Sequence, residues 1–137
     1  YESVYRPFPE EQMQSVIKLS QRIIESHQIK PWHVLGHSDI AWRRKIDPGE
    51  LFDWQRLSSE GIGLWPQPHL DMKSRKIENS TFLKKMAAYG YDIDDNEDQL
   101  SEIITAFQRH FRPQNINGGL DKEMVAILDS LLDQKIN

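Results

Sequence analysis

The sequence predicts an α/β protein that carries a small helical module at its C-terminal end. In residues 9–27 the apolar side chains recur with the period of an α-helix, so they share one face of it. A short apolar run at residues 32–35 follows Pro31 and is expected to form a buried strand. Residues 79–137 contain three more helical patterns, and amphipathic helices of this length form a compact bundle.

These elements divide the chain into three predicted parts. Residues 1–66 hold the first helix, the strand and a polar loop. Residues 67–78 lack a helical period and contain proline and basic residues, so they are expected to form a linker over the surface. In residues 79–137, Gly90 is expected to end one helix and Asp121 to cap another.

The composition excludes several classes of protein. The 137 residues carry a net charge of −4, which argues against a nucleic-acid-binding surface because such surfaces are basic. No apolar run approaches the roughly 18 residues of a transmembrane segment. The chain contains no cysteine, so its redox compartment stays open.

A loop after the predicted strand carries the residues with the most specific chemistry. His37 begins this loop, and Asp47 lies ten residues further along, in front of a Pro-Gly turn. Histidine and aspartate are both good zinc ligands. Lys45, two residues before Asp47, adds a cation that suits a reaction in which an oxyanion develops. The loop is therefore a candidate metal site with His37 and Asp47 as ligands.

The surrounding motifs resemble those of a known enzyme family. Gly-His-Ser-Asp-Ile-Ala at 36–41, Arg-Lys-Ile-Asp-Pro-Gly at 44–49 and Leu-Phe-Asp-Trp at 51–54 are similar to the second metal motif of the zinc-dependent N-acetylmuramoyl-L-alanine amidases of the amidase-2 family. Gly-Ile-Gly-Leu-Trp-Pro at 61–66 extends the resemblance. Trp42 is a departure, because the family usually has proline at that position.

This resemblance implies a fold and a reaction. The fold is a mixed-sheet domain similar to that of the peptidoglycan-recognition proteins, with residues 1–66 as its C-terminal part. The reaction is zinc-dependent hydrolysis of the amide bond between N-acetylmuramic acid and L-alanine in peptidoglycan. By resemblance, His37 and Asp47 are two of the three zinc ligands, and Lys45 is the catalytic cation that stabilises the oxyanion.

The family also uses a first zinc histidine and a catalytic glutamate that lie well upstream of this motif. Because the sequence starts at Tyr1, the resemblance assigns both groups to a missing N-terminal segment of the same protein. Residues 1–137 alone are therefore expected to bind zinc weakly. They are expected to hydrolyse peptidoglycan only when that segment is supplied.

The C-terminal residues resemble a peptidoglycan-binding module of the repeat type. The resemblance rests on Ala-Phe-Gln-Arg-His-Phe-Arg-Pro at 106–113, on the Gly-Gly-Leu-Asp segment that follows, and on the last helix. AmiD-type amidases carry such a module, which implies peptidoglycan as the partner. It also implies the bacterial periplasm or cell envelope as the location, with outer-membrane association left open. Arg109 and His110 are expected on the surface as contacts for glycan or peptide.

Other polar residues of the loop are weaker candidates. Arg43 and Arg44 are candidates for binding a substrate carboxylate, because the guanidinium group pairs well with carboxylates. Asp39 is expected to bond nearby loop amides rather than a metal. Two alternatives to the enzyme stay open: a peptidoglycan-binding or recognition protein without catalysis, and an inactive fragment of the amidase. Lys45 and Asp47 favour the enzyme, since both of these catalytic positions are filled.

Overall fold

The computed structural model of the chain describes residues 6–68, 77–93 and 99–136. These residues form six α-helices and one 3-10 turn: α1, Glu10–His27; the 3-10 turn, Pro31–His33; α2, His37–Ile40; α3, Trp54–Ser59; α4, Asn79–Tyr89; α5, Leu100–Phe111; and α6, Lys122–Ile136. Within these three ranges, no helix has the length and apolar character needed to cross a membrane.

The first helix confirms the amphipathic pattern of residues 9–27. Two acidic residues lie in the first turn of α1, where the partial positive charge of the helix N-terminus favours them. Met13 and Ile17 are buried on one face of the helix. The helix ends at His27, and the next residue, Gln28, takes the left-handed backbone conformation common after helix ends.

The predicted strand at residues 32–35 is wrong, and so is the α/β fold class with its mixed sheet. In the described parts of the chain every regular element is helical. Pro31 starts a 3-10 turn, because the fixed φ of proline suits the first turn of a helix. Val34 has an extended backbone, with φ −95° and ψ 106°. An extended segment becomes a strand only when a neighbouring strand bonds to it, and the described residues place none there.

The apolar side chains form two buried clusters. The N-terminal core consists of Met13, Ile17, Trp54, Leu57 and Ile62. The C-terminal core is larger and is built mainly from α4, α5 and α6; its fully buried members include Phe82, Met86, Ile104, Phe107 and Leu128. Each core covers the apolar faces of amphipathic helices, and this burial supplies most of their stability in water.

The three predicted C-terminal helices are confirmed. α4 ends at Tyr89 and is followed, as predicted, by Gly90, whose φ of +134° is readily adopted only by glycine. The Asp121 carboxylate accepts a hydrogen bond from the Met124 N–H at 2.9 Å and so caps the start of α6, as predicted. α4 and α6 pack against each other. Most of the predicted linker, at residues 69–76, lies outside the described residues.

The polar loop joins the two cores. Trp42 extends from the loop into the C-terminal core, where it is 6% exposed. Its indole N–H donates to the Asp92 carbonyl oxygen at 2.9 Å. α2 also packs against α5. The division into residues 1–66, 67–78 and 79–137 stays a prediction, and these contacts give its first and last parts a shared buried surface.

Candidate metal site

The loop closes on itself so that its two ends meet. His37 is the first residue of α2, and it does not follow a strand as the sequence suggested. The N–H of Ser38 donates to the Asp47 carbonyl oxygen at 2.9 Å. The peptide bond between Asp47 and Pro48 is cis. The loop therefore leaves from α2 and returns to it within one short segment of chain.

The two predicted ligands lie side by side. The His37 Nδ1 atom is 3.3 Å from the Asp47 Oδ2 atom. Two ligand atoms at about 2.0–2.1 Å from a tetrahedral zinc ion are about 3.3 Å apart, so this pair fits two corners of such a site. The side chains are 47% and 62% exposed, which leaves both accessible to an ion and to a substrate. Their role as ligands stays a prediction.

The described residues supply two candidate metal ligands to this site, His37 and Asp47. Across residues 6–68, 77–93 and 99–136, no group of three or more His, Cys, Asp or Glu residues is arranged to hold a metal ion. Lys45, the predicted catalytic cation, is partly buried on the same loop. Its backbone N–H donates to the Ala41 carbonyl oxygen at 2.9 Å. The catalytic role of Lys45 also stays a prediction.

The entry to α2 is packed too closely for a residue larger than glycine. A Cβ atom added to Gly36 would lie 2.8 Å from the Pro48 Cδ atom and 3.1 Å from the Trp54 Cζ2 atom. Trp54 is itself buried in the N-terminal core. Gly36 therefore packs directly against Pro48 and Trp54, and this packing fixes where α2, which begins at His37, starts.

A buried polar cluster adjoins the loop. Asp39 is 3% exposed, and its Oδ2 atom accepts hydrogen bonds from the Gly36 N–H at 2.9 Å and from His110 Nδ1 at 2.6 Å. Its Oδ1 atom accepts a hydrogen bond from the Tyr91 hydroxyl at 2.5 Å. We call Asp39, Tyr91 and His110 the Asp39 cluster. The expected bond from a loop amide to Asp39 is present, and two donors from the C-terminal part of the chain join it.

The cluster alters the titration of nearby tyrosines. Burial raises the pKa of Tyr91 well above its ordinary value of 10.0, and the negative charge of Asp39 raises it further. Burial also raises the pKa of Tyr89, with the charge of Asp39 as the smaller cause. Tyr91 therefore keeps its proton through the neutral range and remains a donor to Asp39.

His110 is buried, whereas the sequence analysis predicted an exposed residue. It is 2% exposed, and its ring stacks on Trp54 and Phe111 with centroid distances of 3.9 and 3.8 Å. Its Nε2 atom is buried and has no hydrogen-bond partner in the described part of the chain. The helical period contained the correct placement, because His110 follows Ile103 by seven residues and so shares its buried face.

The arginines predicted as substrate or glycan contacts differ in their surroundings. Arg43 lies over the Trp42 ring at 4.1 Å, and its guanidinium group bonds an Asp92 carboxylate oxygen at 3.3 Å. Arg44 is exposed, and Arg109 is partly buried on α5. Contacts between these arginines and a substrate stay predictions.

Comparisons with known proteins agree with the motifs. Residues 2–50 match the family described as N-acetylmuramoyl-L-alanine amidase. The chain is 39% identical over 144 residues to the N-acetylmuramoyl-L-alanine amidase AmiD of Escherichia coli strain K12, a match that covers 95% of this chain and 50% of AmiD. It is 42% identical over 55 residues to the 1,6-anhydro-N-acetylmuramyl-L-alanine amidase AmpD of Haemophilus influenzae, covering 39% of this chain and 30% of AmpD.

Solved structures show the same relationship in three dimensions. The complex of E. coli AmiD with the substrate anhydro-N-acetylmuramic acid-L-Ala-D-gamma-Glu-L-Lys matches with a TM-score of 0.85 and 38% identity, over 96% of this chain and 55% of that chain. AmpDh3 of Pseudomonas aeruginosa matches with a TM-score of 0.86 and 30% identity, over 98% of this chain and 57% of that chain. This chain therefore spans about half the length of these relatives.

The fold and the loop from His37 to Asp47, which we call the ligand loop, are similar to those of the N-acetylmuramoyl-L-alanine amidases, as the motifs indicated. The chain is AmiD-like over the part of AmiD that it spans. The likeness extends through the C-terminal helices, because the AmiD match covers 95% of this chain and not the ligand loop alone.

Proposed function

We propose that the protein carrying this chain is a zinc-dependent N-acetylmuramoyl-L-alanine amidase, which hydrolyses the amide bond between N-acetylmuramic acid and L-alanine in peptidoglycan. The observation that carries the proposal is the 3.3 Å separation of His37 Nδ1 and Asp47 Oδ2 on the loop that also contains Lys45. The likeness to AmiD supports it, since the solved AmiD complex holds anhydro-N-acetylmuramic acid joined to a peptide.

In this proposal, His37 and Asp47 hold the zinc ion. When bound, zinc supplies a Lewis acid that activates water for attack on the amide carbon. The positive charge of Lys45 stabilises the negative charge that develops on the amide oxygen during the attack. The exposure of the two ligand side chains lets a polymeric substrate approach the site.

A catalytic zinc site requires three protein ligands and keeps one position open. His37 and Asp47 account for two of them. We propose that a further segment of the same protein provides the third ligand, a histidine, and the general base, a glutamate, as the family resemblance implies. About half of AmiD lies outside its match to this chain, which is consistent with such a segment.

The decisive assay is release of stem peptide from purified peptidoglycan sacculi, with and without zinc. We expect the protein that includes the further segment to release peptide only with zinc, and the 137-residue chain alone to bind zinc weakly and release none. Binding to sacculi without release by either protein would favour a recognition protein instead. Strong zinc-dependent release by the 137 residues alone would show that they contain the third ligand.

We also propose that the protein acts in the bacterial periplasm or cell envelope, because peptidoglycan lies there. The resemblance of the C-terminal helices to a peptidoglycan-binding module supports this location. Fractionation of cells that make the protein provides the test, with the outer-membrane fraction assayed separately. Recovery of the protein only from the cytosol would contradict the proposal.

A further inference from the structure

The Asp39 cluster connects the C-terminal helices to the ligand loop. Asp39 lies in α2, two positions after His37. His110 lies on α5, which packs directly against α2. His110 Nδ1 and Asp39 Oδ2 are 2.6 Å apart, and their side chains are 3% and 2% exposed. A contact between residues 71 positions apart in the chain is therefore buried next to the candidate metal site.

Asp39 fixes the backbone from which His37 extends. Its carboxylate accepts a hydrogen bond from the Gly36 N–H at 2.9 Å, and its own N–H donates to the Gly36 carbonyl oxygen at 3.0 Å. Both bonds join Gly36 to Asp39, and His37 lies between these two residues in the chain. The N–H of Ser38 in the same turn donates to the Asp47 carbonyl oxygen at 2.9 Å. The same short turn therefore carries His37 and holds the backbone of Asp47 in place.

The His110 ring directs its polar contact to Asp39. The contact with Asp39 is made by Nδ1. The other ring nitrogen, Nε2, has no hydrogen-bond partner in the described part of the chain. The ring stacks on Trp54 and Phe111. A buried carboxylate is stable only when hydrogen bonds replace its lost contacts with water. His110 and Tyr91 supply those bonds, and they leave the same carboxylate in place to hold Gly36.

We propose that His110 is a positioning residue for the metal site: through Asp39 it holds the start of α2, and so sets the direction of His37 and its spacing from Asp47. The effect on zinc binding rests on the proposed function, whereas the hydrogen-bonded connection from His110 through Asp39 to Gly36 does not. The C-terminal helices are then part of what shapes the ligand loop, in addition to any contact they make with peptidoglycan.

Three variants separate the hydrogen bond from the packing. His110→Phe keeps an aromatic ring against Trp54 and removes the donor to Asp39. His110→Gln restores a donor at this position without the ring. Tyr91→Phe removes the other long-range donor and keeps its ring in place. The matched control is Leu128→Ala, which weakens the C-terminal core at a fully buried side chain that forms no hydrogen bond.

The first measurement is amide hydrogen exchange in the 137-residue chain, followed by NMR without metal. We expect His110→Phe to speed exchange at Gly36 and Ser38 by about 10-fold or more relative to the amides of α1, because Asp39 is then held less firmly and the turn that it fixes opens more often. His110→Gln should recover part of this protection. Leu128→Ala should change Gly36 and Ser38 no more than it changes α1.

The second measurement is the zinc dissociation constant of the protein that includes the further segment, obtained by competition with a chelator. We expect His110→Phe to weaken zinc binding by about 10-fold, the lower end of the effects of residues that orient metal ligands. Leu128→Ala should leave the dissociation constant unchanged. His110→Gln should lie between wild type and His110→Phe.

The outcomes distinguish this inference from the proposed function. If wild type binds no zinc but exchange at Gly36 and Ser38 accelerates in His110→Phe, the function fails and the positioning role stands. If wild type binds zinc while His110→Phe changes neither exchange nor affinity, the positioning role is overturned and the function stands. Equal acceleration throughout the chain would also overturn it, since that marks general destabilisation. If His110→Phe fails to fold, unchanged exchange at Gly36 in Tyr91→Phe is the overturning result.

Discussion

His37 and Asp47 are the two residues on which the proposed chemistry depends most directly, because their side-chain atoms lie 3.3 Å apart at the surface. In the protein that includes the further segment, replacing either residue with alanine should remove bound metal and activity together, since the two protein ligands that remain do not hold a catalytic zinc ion. Metal content by mass spectrometry and stem-peptide release measure the two effects. His27→Ala, which removes an exposed histidine at the end of α1, should change neither. Full activity in His37→Ala would refute the site.

Lys45 should behave differently from the ligands. Lys45→Ala is expected to retain zinc and to lower turnover by roughly 10²–10³, the effect of removing one group that stabilises an oxyanion. Zinc content and turnover are measured on the same preparation. Lys30→Ala, at an exposed lysine before the 3-10 turn, is the control. Loss of zinc in Lys45→Ala would indicate that the lysine supports the loop and not the reaction.

Tyr91 sets an alkaline limit on stability. Its pKa is raised in the folded protein, first by burial and then by the charge of Asp39, from an ordinary value of 10.0. Below that value both states are protonated and the contribution of Tyr91 to stability is complete. As the pH rises further the unfolded chain loses the proton first, so the contribution declines until the folded pKa is reached. The slope is about 1.4 kcal/mol per pH unit for one group.

Urea unfolding of wild type and Tyr91→Phe between about pH 8 and pH 11 isolates this effect. The difference in free energy of unfolding between the two proteins should be constant up to about pH 10 and should shrink above it. Other groups that titrate in this range affect both proteins alike. A constant difference up to pH 11 would mean that Tyr91 ionises as readily in the folded protein as in the unfolded chain.

At the scale of elements, α2 is the clearest case of a helix that depends on its surroundings. Its four residues are too few to be stable as an isolated helix, so contacts outside the helix must hold it. The close packing at Gly36, directly before α2, is one of these contacts. Gly36→Ala should destabilise the protein by about 1–3 kcal/mol, because the new Cβ atom would lie 2.8 Å from Pro48 and force a shift of the loop.

The control for this prediction is Gly119→Ala. A Cβ atom at Gly119 would have its nearest neighbour, the Asn117 Oδ1 atom, at 3.4 Å, which is close to an ordinary contact. Free energies of unfolding from denaturant titration compare the two variants. Equal losses at Gly36 and Gly119 would show that the loop accommodates a side chain and that the close packing at Gly36 is unimportant.

The elements that the sequence predicted well are the long amphipathic ones. α1, α5 and α6 are 18, 12 and 15 residues long, so their apolar periods are visible over several turns. The run at residues 32–35 is too short to have a clear period, and its extended Val34 finds no neighbouring strand among the described residues. Whether an extended segment belongs to a sheet depends on a partner, and local sequence does not specify that partner.

At the scale of the whole molecule, the predicted division of the chain can be tested by truncation. Residues 79–137 alone should be helical and should melt cooperatively, since α4, α5 and α6 share most of the C-terminal core. The melting temperature should be lower than that of the whole chain, because the truncation removes Trp42 from that core and Asp39 from its bond with His110. Circular dichroism follows both melts.

Trp42→Ala in the whole chain removes the same contact without truncation, and it should also lower the melting temperature relative to wild type. Trp42 is 6% exposed, and replacing a buried large aromatic residue by alanine typically costs about 3–5 kcal/mol. A truncated segment without helix would contradict the predicted division. An unchanged melting temperature would show that the contacts between the loop and the C-terminal helices add no stability.

The sequence by itself determined which residues are the candidates for the chemistry of this protein. The predicted ligands and the predicted catalytic lysine lie within one motif of the chain, and their residue types in that order are sufficient to indicate a metal site and a resemblance to a family. The long helices could also be predicted from the sequence, because the period of their apolar residues is a local property. The tertiary structure alone decided that His110 meets Asp39 and that Trp42 enters the C-terminal core, where the loop contacts the C-terminal helices. These contacts span 50 to 71 positions, and contacts at such distances depend on how separate elements pack, which no local pattern encodes.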